Sequence, residues 1–328
     1  MSSHQQKTAL IVLYNHNYEK NLDKIRKLYS SRFSQILQLM PFYYGNDSDV
    51  VSVFGNSFQF HSYIAQAQEA IMSLDADRIL IIGDDLILNP NLEENNFSSK
   101  LNLGKDDAYL DGFVDVSKPI CYRGTLEAHS FSTSPAGLDV ASANRILPSY
   151  DEAFQILKSN NMMETTQLSK AKPFYQEWDK PIFGNFYRNY KIFKGRVWHF
   201  RNQLKYRFFP KKASYPVVFG YSDIVSIPKT RFLEFCNYLK VFASWNMFVE
   251  LAIPTTLALM PNLNVVTLNQ IQFKSGNVWY PCEGTHFSKI DNLIKNLGKE
   301  CNYNLDILSD FFPNEYLYLH PVKLSQWN

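Results

Sequence analysis

Short apolar runs alternate with amphipathic stretches through the first part of the chain. Thr8 to Tyr14 (TALIVLY) is one such run, broken off at Asn15, and reads as a strand buried on both faces. From Asn17 to Tyr29 the residues Leu22, Ile25 and Leu28 recur at helical spacing with charges between them. Phe33 to Met40 reads as a second strand, and Val50 to Phe54 as a third. Ser62 to Leu74 carries Ile64, Ala67, Ile71 and Leu74 on one helical face. A fourth strand follows at Ile79-Leu80-Ile81-Ile82. It runs straight into Gly83-Asp84-Asp85-Leu86, and the apolar pattern then resumes up to Asn89-Pro90. Strand alternating with helix predicts an α/β domain with a mainly parallel sheet. In such sheets ligands bind at the carboxyl ends of the strands. Asn15 and the Asp84/Asp85 pair both fall there.

From about 90 to 180 the pattern loosens. Asn91 to Asn96 is polar, Asp151 to Lys158 predicts one short helix, and Pro173 to Pro181 looks irregular. Pro216 to Ile227 (PVVFGYSDIVSI) reads as a strand, a glycine-containing turn and a second strand. A helical run follows with Phe232, Phe235, Leu239 and Phe242 at helix spacing. Ser244 is a candidate N-cap for a further helix, Trp245 to Ile253, which Pro254 should end or kink. Val265 to Leu268 and Ile271 to Phe273 suggest closing strands. Phe287 to Leu297 reads as a last amphipathic helix ended by Gly298. The tail from Tyr316 places His320 after another short apolar run.

The composition is that of a folded globule, 45% hydrophobic and 20% charged. Its 25 Phe and 20 Tyr suit large cores or sugar- and lipid-facing surfaces. The net charge of +2 argues against a strongly polyanion-binding design for the whole molecule, though not against a local basic patch. One such patch exists. From 180 to 222 there are ten Lys/Arg, no Asp or Glu, and thirteen interleaved aromatic residues. A membrane surface or a lipid-linked pyrophosphate fits this segment, as does a single-stranded nucleic acid; an ordinary surface segment with its aromatics in the core is the plain alternative. No nucleic-acid partner is expected for the protein as a whole. Cys121, Cys236, Cys282 and Cys301 form no C-x-x-C pair, so free thiols are expected. The polar start lacks a signal-peptide core, and no run of apolar residues is long enough to span a bilayer. The expected location is cytoplasmic, with peripheral contact to the inner membrane face through 180–222.

Two adjacent carboxylates repel unless something positive sits with them. A divalent cation is one answer, and hard oxygen ligands select Mg²⁺ or Mn²⁺; a solvated turn is the other. Glu250 lies among Phe248, Val249, Leu251, Ala252 and Ile253, where burial would raise its pKa and suit a general base. It could equally be a solvated acid or a structural hydrogen-bond partner. Asp223, in Gly220-Tyr221-Ser222-Asp223, is the rival base or a binder of an acceptor hydroxyl. The chain has no G-x-x-x-x-G-K-[ST] loop, no G-x-G-x-x-G after the first strand and no G-x-S-x-G elbow, which argues against P-loop NTPases, dinucleotide dehydrogenases and α/β-hydrolases.

The order of these features resembles a GT-A-type nucleotide-sugar-dependent glycosyltransferase of the kind that builds bacterial surface polysaccharide, O-antigen or capsule. Gly83-Asp84-Asp85-Leu86 with Asn89-Pro90 is similar to the E-D-D-L…P version of the acidic motif in those enzymes, with Gly83 standing where the first acid would be. The resemblance implies a GT-A-like, mainly parallel sheet flanked by helices. Residues 1–115 would be the donor-binding half and 116–328 the acceptor-binding half of one catalytic domain. It implies that Asp85 coordinates Mn²⁺ or Mg²⁺ and that Asp84 orients the donor. A late histidine, here His320, would be a second metal ligand. Tyr14 and Asn15 would meet the nucleotide, and Lys323 a phosphate. The donor implied is a nucleotide-diphosphate sugar such as a UDP-sugar, and the acceptor a glycan or lipid-linked glycan. Glu250 as base would give direct displacement with inversion. A nucleotidyltransferase or phosphotransferase, and a non-catalytic glycan- or lipid-binding protein, stand as alternatives.

Overall fold

Six strands run one way and one runs against them in the central sheet of the computed structural model. The structure describes residues 6–118, 127–168, 212–278 and 287–328, with Gly124 and eight positions between 189 and 204. The first four strands are β1 (Thr8–Leu13), β2 (Ile36–Pro41), β3 (Val50–Val53) and β4 (Arg78–Gly83). They are followed by β5 (Ile87–Leu88), β6 (Ala108–Leu110), β7 (Val114–Asp115), β8 (Val218–Phe219), β9 (Ile224–Pro228), β10 (Val265–Val266), β11 (Lys274–Asn277) and β12 (Tyr316–His320). The central order is β10-β6-β9-β4-β1-β2-β3, and β9 is the reversed strand, antiparallel to both β4 and β6. The protein is therefore mixed α/β with a mainly parallel sheet flanked by helices, an arrangement compatible with a Rossmann-like fold. Strands from before and after residue 115 share that one sheet, because β9 lies between β4 and β6.

β1 explains why the sheet is covered on both sides. All six of its residues are buried. Ala9, Ile11 and Leu13 pack into one apolar cluster, while Leu10 and Val12 pack into another on the opposite face. This period of two feeding two cores is what a doubly covered strand requires. One cluster is closed by the helix Phe232–Ser244, the other by the helix Leu22–Tyr29 and the C-terminal segments.

Several local expectations shift. The helix foreseen over 62–74 is two short helices, His61–Gln66 and Gln68–Ser73, broken at Ala67. The helix foreseen over 151–158 spans Tyr150–Ser159, held at its start by a capping box between Ser149 and Glu152. Ser244 is no N-cap: it ends the preceding helix and its hydroxyl donates to the Val241 carbonyl at 2.6 Å. The next helix begins at Val249 and runs through Pro254 to Leu259. The strand foreseen at 271–273 lies later, at Lys274–Asn277, after a 3-10 turn at Leu268–Gln270. The last long helix passes through Gly298 to Glu300, and an added Cβ at Gly298 would lie 2.5 Å from the Tyr303 ring. The glycine there serves packing rather than termination. The irregular stretch foreseen at 173–181 lies outside the described residues.

Candidate active site

β1 and β4 end side by side, with Leu13 opposite Gly83. Beyond those ends, the Asn15 amide donates to Asp84 Oδ1 at 3.3 Å, and the Asp84 amide donates to the Leu13 carbonyl at 2.9 Å. β9 starts on the other flank of β4, where the Gly83 amide donates to the Asp223 carbonyl at 3.0 Å. Directly after Asp85 and Leu86, β5 leaves the sheet and pairs antiparallel with β12, Ile87 opposite Leu319 and Leu88 opposite Tyr318. That register returns His320 to Asp85 across 235 positions of sequence. His320 Nε2 lies 3.1 Å from Asp85 Oδ1 and 3.8 Å from Asp223 Oδ2. The Val322 amide donates to the Asp85 carbonyl at 2.7 Å and fixes the turn after β12. A Cβ built on Gly83 would sit 3.2 Å from Asp85 Oδ1 and 3.8 Å from Asp223 Oδ1, so the glycine leaves this space to the carboxylates around it.

The charges in this group are interdependent. Burial raises the Asp84 carboxyl to about 7, reinforced by the neighbouring Asp85 charge and opposed by hydrogen bonds from Asn15 and Asn21. Burial also acts to raise Asp85, but the charge and hydrogen bond of His320 outweigh it and hold that carboxyl below its ordinary value. Burial alone would lower His320; Asp85 and Asp223 reverse this and raise it to about 9, with Glu250 adding to the effect. Asp223 is raised to about 6 by burial, with His320 pulling the other way. Without a bound cation, a protonated His320 between Asp85 and Asp223 supplies positive charge beside the acids; a divalent ion held by the same imidazole would take the place of that proton.

Asp111 belongs to the same neighbourhood and was not singled out from sequence. It follows β6 and is buried, and its carboxylate accepts from Tyr109 at 2.8 Å, from Ser275 Oγ at 3.1 Å and from the Tyr318 hydroxyl. Burial raises it to about 6 against those hydroxyls. Tyr318 stacks on Tyr221 with ring centroids 5.7 Å apart, and Tyr221 tilts against His320 at 5.6 Å. The signal was present in Ala108-Tyr109-Leu110-Asp111, a short apolar run ending in an acid as at Asp84.

Glu250 lies in the first turn of the helix Val249–Leu259. Pro254 has no N–H for the carbonyl four residues earlier, which is that of Glu250. The Gly220 amide takes its place at 2.9 Å. The Val218 amide donates to Thr255 Oγ1 at 3.1 Å, and the Ser222 hydroxyl contacts the Val249 carbonyl at 3.5 Å. The loop that presents Asp223 is therefore fastened to the turn that presents Glu250.

The structure gathers Asn15, Asp84, Asp85, Asp223 and His320, with Glu250 within electrostatic reach of the histidine. The Tyr14 side chain is turned into the core, fully buried, and its hydroxyl donates to Gln38 Oε1 at 2.6 Å. Lys323 is exposed and follows Val322. Among the described residues no three His, Cys, Asp or Glu side chains form a ready-made cation cage. Asp85 Oδ1 and His320 Nε2, 3.1 Å apart, are nonetheless close enough to share one ion. One carboxylate and one imidazole fit a Mn²⁺ ion, or less well Mg²⁺, whose other positions are commonly filled by phosphate and water.

The basic aromatic segment foreseen over 180–222 lies largely outside the described residues. Within its described part, Tyr215, Phe219 and Tyr221 are buried in the core, while Tyr190, Phe193 and Phe200 are exposed. No described helix is long and apolar enough to cross a membrane. No protein-family model matches this chain, and no curated protein matches it.

Proposed function

We propose that this protein is a GT-A-type glycosyltransferase that moves a sugar from a nucleotide-diphosphate donor, such as a UDP-sugar, to a hydroxyl of a glycan or lipid-linked glycan. The observation that carries the reading is the convergence of Asp85, Asp223 and His320 at the carboxyl end of β4, where open α/β sheets bind ligands. Asp223 also answers the one departure from the E-D-D-L pattern. Its carboxylate stands beside the space that the missing side chain of Gly83 leaves.

Asp84 accepts the Asn15 amide and so positions the loop after β1 against the donor. Asp85 and His320 would hold the divalent ion, which when bound offsets the charge that grows on the departing diphosphate. Glu250, in the first helical turn and fastened to the Asp223 loop, takes the proton of the acceptor hydroxyl as it attacks the sugar. Direct attack inverts the anomeric carbon. Asp223 is the second candidate for that proton.

The test is a panel of nucleotide sugars with and without Mn²⁺, read by thermal stabilisation and by hydrolysis. The reading expects one nucleotide sugar to stabilise the protein in a Mn²⁺-dependent way and Asp85→Asn to remove that dependence. Turnover of a nucleoside triphosphate in place of any nucleotide sugar would move the protein to the nucleotidyltransferases. Silence toward every nucleotide sugar overturns the proposal.

A further inference from the structure

Asp111 is a buried carboxylate to which the proposed reaction gives no task. It follows β6 of the central sheet, and its hydroxyl partners come from two different sheets. The Tyr109 hydroxyl, on β6 itself, donates to Oδ1 at 2.8 Å. Oδ2 accepts from Ser275 on β11 at 3.1 Å and from Tyr318 on β12, and those two hydroxyls lie 2.7 Å apart. β11 and β12 belong with β5 to the smaller sheet. A buried carboxylate is costly unless its oxygens are met, so the two sheets are tied at this point by a group that needs its donors in place. The register of β11 on β12 shifts between Lys274 and Ser275, and the shift sets Ser275 opposite Tyr318. Irregularities of this kind re-aim a side chain.

His320 stands between two ties on β12. Tyr318, two residues before it, is bound to Asp111, and the amide of Val322, two residues after it, donates to the Asp85 carbonyl at 2.7 Å. Tyr318 and His320, two apart on a strand, point to the same face. The Tyr221 ring lies against both, with centroids 5.7 and 5.6 Å away. β12 pairs with β5 through Tyr318 and Leu319 alone, a short ladder for a strand that holds an imidazole 3.1 Å from Asp85. We propose that Asp111 is a positioning residue: through Tyr318 it fixes the seat of β12 and so keeps His320 Nε2 beside Asp85. Hydrogen bonds suit this role because they are directional, whereas apolar packing against the same strand is not. The inference rests on the ion site proposed at Asp85 and His320.

Two measurements on the full chain test it: amide hydrogen exchange without metal, and Mn²⁺ binding read from the spin-resonance signal of the free ion. Asp111→Leu removes the acceptor. Tyr318→Phe removes one hydroxyl and keeps the ring, so it serves where Asp111→Leu does not fold. Asp111→Asn keeps one oxygen and offers an amide that a hydroxyl can accept. Asp111→Leu and Tyr318→Phe should speed exchange over 316–322 and leave β1 and β4 at wild-type rates. Both should weaken Mn²⁺ binding by about tenfold or more, and Asp111→Asn should stay close to wild type in both measurements. Wild-type exchange over 316–322 in Asp111→Leu and Tyr318→Phe overturns the proposal. Faster exchange spread evenly over all strands also overturns it, since Asp111 would then serve general stability alone. Asp111→Asn as impaired as Asp111→Leu does the same, because charge and not the hydrogen-bonded tie would be at work. A wild-type chain that binds no Mn²⁺ counts against the ion site, and the exchange result, which needs no ion, then decides on Asp111 by itself.

Discussion

The carbonyl of Glu250 accepts a hydrogen bond from the amide of Gly220, 2.9 Å away, where its own helix offers Pro254 and no N–H four residues on. Pro254 makes the carbonyl available, and the loop that carries Asp223 claims it. Gly220 has little room for anything larger. A Cβ there would meet the Gly112 carbonyl oxygen at 2.5 Å and the Pro254 ring at 3.0 Å, and neither is the far end of a flexible side chain. Gly220→Ala is therefore expected to cost ~1–3 kcal/mol of stability. It should also depress transfer, because any movement that relieves the clash shifts Asp223 and Glu250 relative to each other. Thermal unfolding and steady-state rates check both, and a variant as stable and active as wild type would remove this contact from the argument.

Stability should fall as pH rises from about 5 to 9, and the histidine makes the upper part of that slope. Folded His320 holds its proton to about 9, whereas unfolded it titrates near its ordinary value of about 6.5. Between those values the native state binds more protons than the unfolded one, so raising the pH favours unfolding. Asp84, Asp111 and Asp223 act with the same sign at lower pH, since burial lifts each above the ordinary carboxylate value, to about 7, 6 and 6. Asp85, held low by His320, acts oppositely, and only at strongly acidic pH. Melting temperatures measured across this range without divalent ion should decline. His320→Gln should remove the histidine's share of the slope while letting Asp85 and Asp223 titrate higher, so the decline should shift toward the range of the buried carboxyls. A profile that rises toward pH 9 would contradict the ion-paired histidine.

What could be read in the sequence follows the range of the interactions. β1, β4 and the acids after β4 are visible because a doubly buried strand writes its pattern into consecutive residues. The meeting of Asp85 with His320 is not, because it depends on β5 pairing with β12 across 235 positions. Asp111 escaped because three residues of β6 leave too short a pattern in a stretch that otherwise reads as loop. Pro254 reads as a helix end on propensity alone. It is tolerated inside the helix because Gly220, distant in sequence, donates the hydrogen bond that proline makes impossible.

Glu250 and Asp223 can be separated by kinetics. If Glu250 takes the acceptor proton, Glu250→Gln should lower kcat by ~10²–10⁴-fold while leaving donor-dependent thermal stabilisation intact. Asp223→Asn should then act chiefly through His320, which lies 3.8 Å from Asp223, and lower the pH at which the imidazole loses its charge. The reverse result, with Glu250→Gln active and Asp223→Asn inert with normal donor binding, would transfer the base role to Asp223.

Arg78 offers a control in which stability and chemistry should part. It opens β4, the strand that ends at the acids, and is fully buried. Its guanidinium donates to the Asp107 carbonyl at 2.6 Å, the Gly104 carbonyl at 2.8 Å, Ser98 Oγ at 3.0 Å and Ser226 Oγ at 3.3 Å. Burial lowers its pKa to about 10, which still leaves it charged at neutral pH. A methionine fills much of the same volume but donates nothing, so two carbonyls and two hydroxyls lose their donor inside the protein. Arg78→Met should therefore cost ~3 kcal/mol, a fall of roughly 5–10 °C in melting temperature for a chain of this size. The strand's far end carries the acids, and the β1 and β9 pairings that hold that end remain. Below the new melting temperature kcat and KM should match wild type. A variant that keeps its melting temperature but loses activity would show that Arg78 reaches the site by a route other than stability.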